Sequence, residues 1–181
     1  MNKGFEDAAR TLDADILAIQ ETKLQDHQLT RPMTHLADYS AYWSHCTTKK
    51  GYSGVGVYTR HTPLSVRHGI GEPRFDEEGR ILELDFGRFV FFNVYFPNGQ
   101  MGDERLRYKL DFYEAFFAYA DRYKNEGRRV VVTGDYNTAH NDIDLKNPRA
   151  NAKTSGFLRI ERDWLDRITA DGWVDTFRHF H

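Results

Sequence analysis

Two apolar runs in this chain lead into carboxylates. Ile16-Leu-Ala-Ile-Gln runs into Glu21, and Val130-Val-Val-Thr-Gly runs into Asp135, with Asn137 two residues further on. In layered α/β proteins the ends of buried strands are rigid platforms from which side chains reach a ligand. Two carboxylates with an amide form an all-oxygen set, which suits a hard cation, Mg²⁺ or Mn²⁺, better than zinc. Each acid could instead cap a following helix or turn. Gly134 sharpens the second case, because glycine lets the backbone turn directly before Asp135. A third strand-like run, Asn93-Val-Tyr-Phe-Pro-Asn-Gly, places Tyr95 and Asn98 at its exit. Their hydroxyl and amide are able to hold a phosphate, or equally to serve as a core aromatic and an Asn-Gly turn. The stretch from Thr138 to Gly156 carries His140, Asn141, Asn147, Arg149, Asn151 and Lys153. These are donors suited to a sugar-phosphate backbone without base reading, or alternatively plain turn formers. Other chemistries find little support: there is no Gly-x-Ser-x-Gly elbow, Cys46 has no acid near it in sequence, and Gly51–Gly56 lacks the Gly-Lys-Ser/Thr ending of a P-loop.

The elements that must position these residues follow from periodicity. Phe5, Ala8, Ala9 and Leu12 have helical spacing ahead of the first apolar run. Ser53 to Thr59 alternates glycine with β-branched residues, which reads as a strand closely approached by something else. Arg80 to Asp85 and Gly87 to Tyr95 read as two strands joined in a hairpin. Glu104 to Tyr123 has Leu106, Leu110, Tyr113, Phe117 and Ala120 on one side of a long helix closed by Gly127. The valine run before Asp135 predicts a central strand. Thr138 to Gly156 predicts a long loop, and Glu161 to Thr169 a last helix with Trp164, Leu165 and Ile168 inward. Helices and strands mix without strict alternation, which points to layered α/β or α+β with mixed sheets.

At 181 residues, with no repeat and no linker-like tract, the expectation is one domain over residues 1–181. No apolar run approaches the roughly 20 residues of a spanning helix, so no membrane is expected. The opening ten residues carry acids and no apolar stretch, so no secretory signal is read. The single Cys46 excludes an internal disulfide framework and fits a reducing cytoplasm. Net charge is −2, unevenly spread: Tyr39 to Gly71 has no acid and four cations, Lys49, Lys50, Arg60 and Arg67, whereas Glu72 to Glu104 has eight acids and three bases. The first stretch could face phosphates, or simply be a solvated surface.

Taken in order, Gln20-Glu-Thr-Lys, Gly51-Tyr-Ser-Gly-Val-Gly-Val, Glu78-Gly-Arg, Asn93-Val-Tyr-Phe-Pro-Asn-Gly, Gly134-Asp-Tyr-Asn-Thr-Ala-His-Asn-Asp-Ile-Asp-Leu-Lys-Asn-Pro, Ser155-Gly-Phe and Val174-Asp-Thr-Phe-Arg-His form a specific series. It resembles the exonuclease III family of abasic-site DNA repair nucleases, within the endonuclease/exonuclease/phosphatase superfamily. The resemblance implies a four-layer sandwich of two mixed β-sheets flanked by helices. It implies Mg²⁺-dependent (or Mn²⁺-dependent) hydrolysis of the phosphodiester 5′ to abasic sites in double-stranded DNA, or 3′-to-5′ removal from its 3′ ends, by a monomer. Under it Glu21 is a metal ligand, Asp135 activates or positions water and meets the metal, Asn137 orients the water or phosphate, and Tyr95 contacts the scissile phosphate. Lys23, Tyr52, Asn98, His140, Asn147 and Asn151 would grip the DNA backbone. The family pattern also includes a Ser-x-Asn-x-Asn strand before the first helix, and a late Asp and Ser-Asp-His after the last motif. The expectation for these residues alone is therefore a sandwich incomplete at both termini, marginally stable and weakly catalytic. The alternative is a catalytically impaired DNA-binding fragment. A small-molecule or lipid phosphatase is a third reading, disfavoured by the Asn-rich loop.

Overall fold

A computed structural model describes residues 4–181. The chain divides into two compact units, one of residues up to Phe96 together with Glu114–Asp135, the other of Pro97–Tyr113 with Tyr136–His181. In the first unit, β3 (Val55–Thr59) lies between β1 (Ile16–Gln20) and β2 (Ser40–Ser44), antiparallel to both. A second sheet has the order β4 (Ser65–His68), β5 (Ile81–Asp85), β6 (Val90–Tyr95), β7 (Val130–Asp135). Its first three strands are antiparallel and β7 runs parallel to β6, so this sheet is mixed and the three-stranded one antiparallel throughout.

Side chains alternate across each strand, and the alternation sorts the unit into layers. Val55, Val57, Leu82, Leu84, Phe91 and Tyr95 fill the space between the sheets. Pointing the opposite way, Tyr58, Leu17 and Ile19 pack with Leu36, Tyr39 and Ala9, the last on helix α1 (Phe5–Leu12). Two short helices, α2 (Arg31–Thr34) and α3 (Pro73–Asp76), sit in connections. On the far face of the four-stranded sheet Phe92 meets Phe116 edge-on at 5.3 Å and Tyr119 at 6.1 Å. Both belong to the C-terminal part of α4 (Asp103–Asn125). Helix, sheet, sheet, helix are the four layers that the resemblance implied.

One polar residue crosses the apolar middle. Asn93 is fully buried, and its Nδ2 donates to the Ile19 carbonyl at 3.0 Å and the Gly56 carbonyl at 2.9 Å, while its Oδ1 accepts from Gln20 Nε2 at 2.7 Å. Three bonds from β6 to β1 and β3 thus pin the two sheets in register. Asn93→Ala leaves buried groups without partners and is expected to cost about 3 kcal/mol of stability. A fall in the urea midpoint would show this, and a loss below about 1 kcal/mol would contradict the pinning role.

Several sequence expectations need correction. Among the described residues β7 is at the edge of its sheet, not central, and Val131 is exposed. A β-branched run suits an edge and a centre alike, so its composition does not separate them. The buried face of α4 is Lys109, Phe112, Tyr113, Phe116, Phe117, Tyr119 and Ala120, and Leu106 and Leu110 are only half-buried. The loop from Thr138 to Gly156 holds a 3₁₀ turn at Asp142–Asp144 and helix α5 (Pro148–Asn151). The acid-free stretch does not stay unpaired: Arg60 reaches Asp13 at 2.7 Å, and Arg67 lies 3.9 Å from buried Glu83.

In the second unit α6 (Arg159–Ala170) buries Trp164, Leu165 and Ile168, and Trp164 stacks on Tyr113 at 4.3 Å. The chain then forms α7 (Thr176–Phe180), whose N-cap Asp175 accepts from the Arg178 amide at 3.1 Å. Among the described residues no helix is long and apolar enough to cross a membrane.

Candidate active site

In the first unit three predicted residues come together where strands end. β1 packs against β6 and β7, and in the parallel pairing Tyr95 is opposite Asp135. Glu21 follows β1 directly, and the charges of Glu21 and Asp135 both act on the Tyr95 phenol. Burial raises the Tyr95 pKa above its ordinary value, and the charge of Glu21 raises it further against an opposing effect from Arg80. Tyr95 is therefore a neutral hydrogen-bond donor at physiological pH, not a phenolate. Glu21 and Asp135 are both exposed residues. Lys23 Nζ lies 3.0 Å from Glu21 Oε1, an exposed pair of small energetic worth.

The approach to this cluster is built from left-handed backbone. Glu21, Lys23 and Ser53 all have φ near +50°, and their segments are zipped by Thr22 N–H to Gly54 carbonyl at 3.1 Å and Lys23 N–H to Ser53 carbonyl at 2.8 Å. A side chain at Gly54 would stand 2.4 Å from Thr22 Oγ1, so only glycine permits that approach. Tyr52 precedes this turn, with Lys49 Nζ 4.8 Å from its ring centre.

Arg80 is a residue whose role the sequence alone did not expose. Its buried guanidinium donates to the Tyr95 carbonyl at 2.9 Å, the Tyr52 hydroxyl at 3.1 Å and Glu78 Oε2 at 2.5 Å. It thereby fixes Tyr52 and Tyr95 from beneath. Its signal was an arginine standing directly before an apolar strand.

The other predicted residues belong to the second unit. Asn137 is two residues along from Asp135, is half-buried and has φ 50°. Asn98 is also half-buried. His140 Nε2 pairs with Asp166 Oδ1 at 2.8 Å, and that hydrogen bond holds the Asp166 carboxyl below its ordinary pKa. Asn151 Nδ2 donates to the Asn147 carbonyl at 2.8 Å. The His140 side chain thus ties the loop to α6 and the Asn151 side chain takes part in the loop's own construction, whereas Asn147 is exposed.

A pair of exposed carboxylates beside a neutral phenol, at the ends of strands from two facing sheets, marks the candidate site of this layered α/β protein. Among the described residues no cluster of three or more His, Cys, Asp or Glu forms. The chain belongs to the Endonuclease/Exonuclease/phosphatase family, whose model matches residues 2–180. Proteins of this family generally use a divalent metal. The chain is 41% identical to the exodeoxyribonuclease of Bacillus subtilis (strain 168), over 93% of this chain and 65% of that protein. It is 37% identical to the DNA repair nuclease APEX1 of Danio rerio, over 100% of this chain and 58% of that protein. Among solved structures, an AP endonuclease from Archaeoglobus fulgidus superimposes with a TM-score of 0.84 at 25% identity, covering 97% of this chain and 67% of that one. The chain therefore spans less than two thirds of the length of both sequence relatives.

Proposed function

We propose that this chain carries out metal-dependent hydrolysis of DNA phosphodiesters, cutting 5′ to abasic sites or removing nucleotides from 3′ ends, as a cytoplasmic monomer. The observation that carries the reading is the convergence of Glu21 and Asp135 on the buried-edge phenol of Tyr95. Sequence relatives named as an exodeoxyribonuclease and a DNA repair nuclease support it.

The donor chemistry fits a hard divalent cation, because the carboxylates of two exposed residues supply charge and oxygen. Glu21 and Asp135 would hold Mg²⁺ or Mn²⁺, with Asn137 as the third oxygen donor. Such an ion, when bound, offsets the charge that builds on the phosphoryl oxygens and eases deprotonation of water. Tyr95, kept as a phenol, donates a hydrogen bond to the phosphate. Asn137 orients the attacking water or a phosphate oxygen, Asp135 accepts a proton from that water as its oxygen bonds to phosphorus, and the P–O3′ bond breaks, the departing 3′ oxygen taking a proton from solvent. Preorganised donors of this kind, aimed at charge that develops in the transition state, usually supply the largest share of catalysis. Lys23, Tyr52, Asn98, His140, Asn147 and Asn151 would hold the backbone of the duplex, a grip that ignores base order as lesion recognition requires.

The test is a duplex oligonucleotide bearing one tetrahydrofuran abasic analogue, incubated with the full chain in Mg²⁺ and in EDTA. A single incision in Mg²⁺ that vanishes in EDTA is expected. Tight binding without cutting in either condition would replace this reading with that of a DNA-gripping fragment.

A further inference from the structure

Lys109 lies on the buried stripe of α4 with no exposed surface. Its ammonium donates to Glu161 Oε1 at 2.6 Å, the Asn137 carbonyl at 2.7 Å and Thr138 Oγ1 at 2.7 Å, which uses all three N–H groups. Glu161 is equally buried. Its Oε1 also accepts from Ser155 Oγ at 2.8 Å, and its Oε2 accepts from the amides of Gly156 at 2.7 Å and Leu158 at 3.0 Å. Ser155 Oγ in turn accepts from the Gly99 amide at 3.1 Å. That contact is tight, since a Cβ on Gly99 would stand 2.6 Å from the same oxygen.

A buried ion pair is weak evidence of stabilisation, because well-packed apolar residues often do as well. What distinguishes this one is where its remaining hydrogen bonds go. In one direction it grips the carbonyl of Asn137, a residue in the left-handed region, and so fixes the backbone from which the amide side chain emerges. In the other it reaches, through Ser155, the residue that follows Asn98. The Ala139 amide, bonded to the Gly156 carbonyl at 2.9 Å, ties the two directions together.

We propose that the Lys109–Glu161 pair, extended by Ser155, is a positioning device that sets the Asn98 and Asn137 amides for a phosphate-bearing ligand. This rests on the reading of those two asparagines as ligand contacts. Neither Lys109 nor Glu161 touches the ligand, and the pair acts through Asn137 and Gly99.

The test uses the full chain labelled with ¹⁵N, as wild type, Ser155→Ala and Glu161→Gln. Side-chain amide signals of Asn98 and Asn137 and exchange of the Gly99 N–H are followed by NMR, with kcat and KM measured on the abasic-analogue duplex in Mg²⁺. Ser155→Ala is expected to fold, to speed Gly99 exchange about five- to tenfold through loss of one hydrogen bond, and to shift the Asn98 signal while leaving Asn137 in place. Glu161→Gln is expected to shift both signals and to lower kcat about 10- to 100-fold with KM changed far less, as misplacement of a site group predicts. A purely structural role would lower the folded fraction, and with it the apparent kcat, while kcat per folded molecule stays at the wild-type value and the Asn98 and Asn137 signals of the folded form do not move. If Glu161→Gln does not fold, Ser155→Ala decides alone, and an unmoved Asn98 signal with unchanged Gly99 exchange overturns the proposal. A wild type that never incises DNA would count against the nuclease reading, while the NMR responses would still report on the device.

Discussion

Gly134→Ala should destabilise the protein by roughly 3–5 kcal/mol, the sum of an overpacking clash and a forbidden backbone conformation. An added Cβ would lie 1.9 Å from the Val94 carbonyl oxygen, and within 3.0 Å of the Val94 carbonyl carbon and amide nitrogen. These are backbone atoms of the paired strand β6, so they cannot swing aside as a flexible side chain would. The residue's φ of 137° adds strain for any L side chain. The sheet must open at the rung next to Tyr95 and Asp135, which carries the site carboxylate away with it. Gly127→Ala is the control: its φ is 75° but nothing lies within 4 Å of the added atom, so only about 1 kcal/mol of strain is expected. Urea midpoints for the two variants would separate clash from strain. Equal losses would show that the close approach of β6 and β7 contributes nothing.

Asp135→Asn should leave stability nearly unchanged and reduce metal-dependent incision by about a thousandfold or more, in line with loss of one member of a cooperating catalytic set. Asp135 is exposed, so the folded chain tolerates an isosteric amide there. The chemistry does not, because the amide lacks the negative charge that attracts a cation and the basicity that accepts a proton from water. A second readout follows from electrostatics. The Asp135 charge helps to raise the Tyr95 pKa, so the variant should titrate that phenol at lower pH than the wild type. Single-turnover incision of the abasic-analogue duplex, with thermal midpoints alongside, checks both parts. Incision within about tenfold of wild type would remove Asp135 from the catalytic role.

The residues that line up along strands were legible in the sequence. Glu21 and Asp135 could be placed because each ends an apolar run short enough to be a strand, and Tyr95 because a proline two residues later stops the run it belongs to. That β7 ends its sheet among the described residues was not legible, since valine is favoured on any pleated surface, half-buried or fully buried. β2 and β4 also escaped notice: Ser40–Ser44 and Ser65–His68 mix polar and apolar residues without a clean period, and their pairing partners define them. The buried pair of Lys109 and Glu161 was hidden for another reason. Charged residues on helices are ordinarily solvated, and these two lie 52 positions apart. One clue was present, because Lys109 stands three and four residues before Phe112 and Tyr113, on the side of α4 that those rings bury. A lysine on an apolar stripe demands a buried acid.

Six residues other than glycine adopt positive φ among those described, and four of them, Glu21, Lys23, Ser53 and Asn137, lie in the segments that carry or flank the site. Glycine or a plain turn sequence would relax the backbone at each of these places. Selection for thermal robustness alone would therefore steer this chain toward a firmer but chemically mute protein. Under the proposed reading, Glu21 and Asn137 are the places where ligand contact would outweigh that conformational ease.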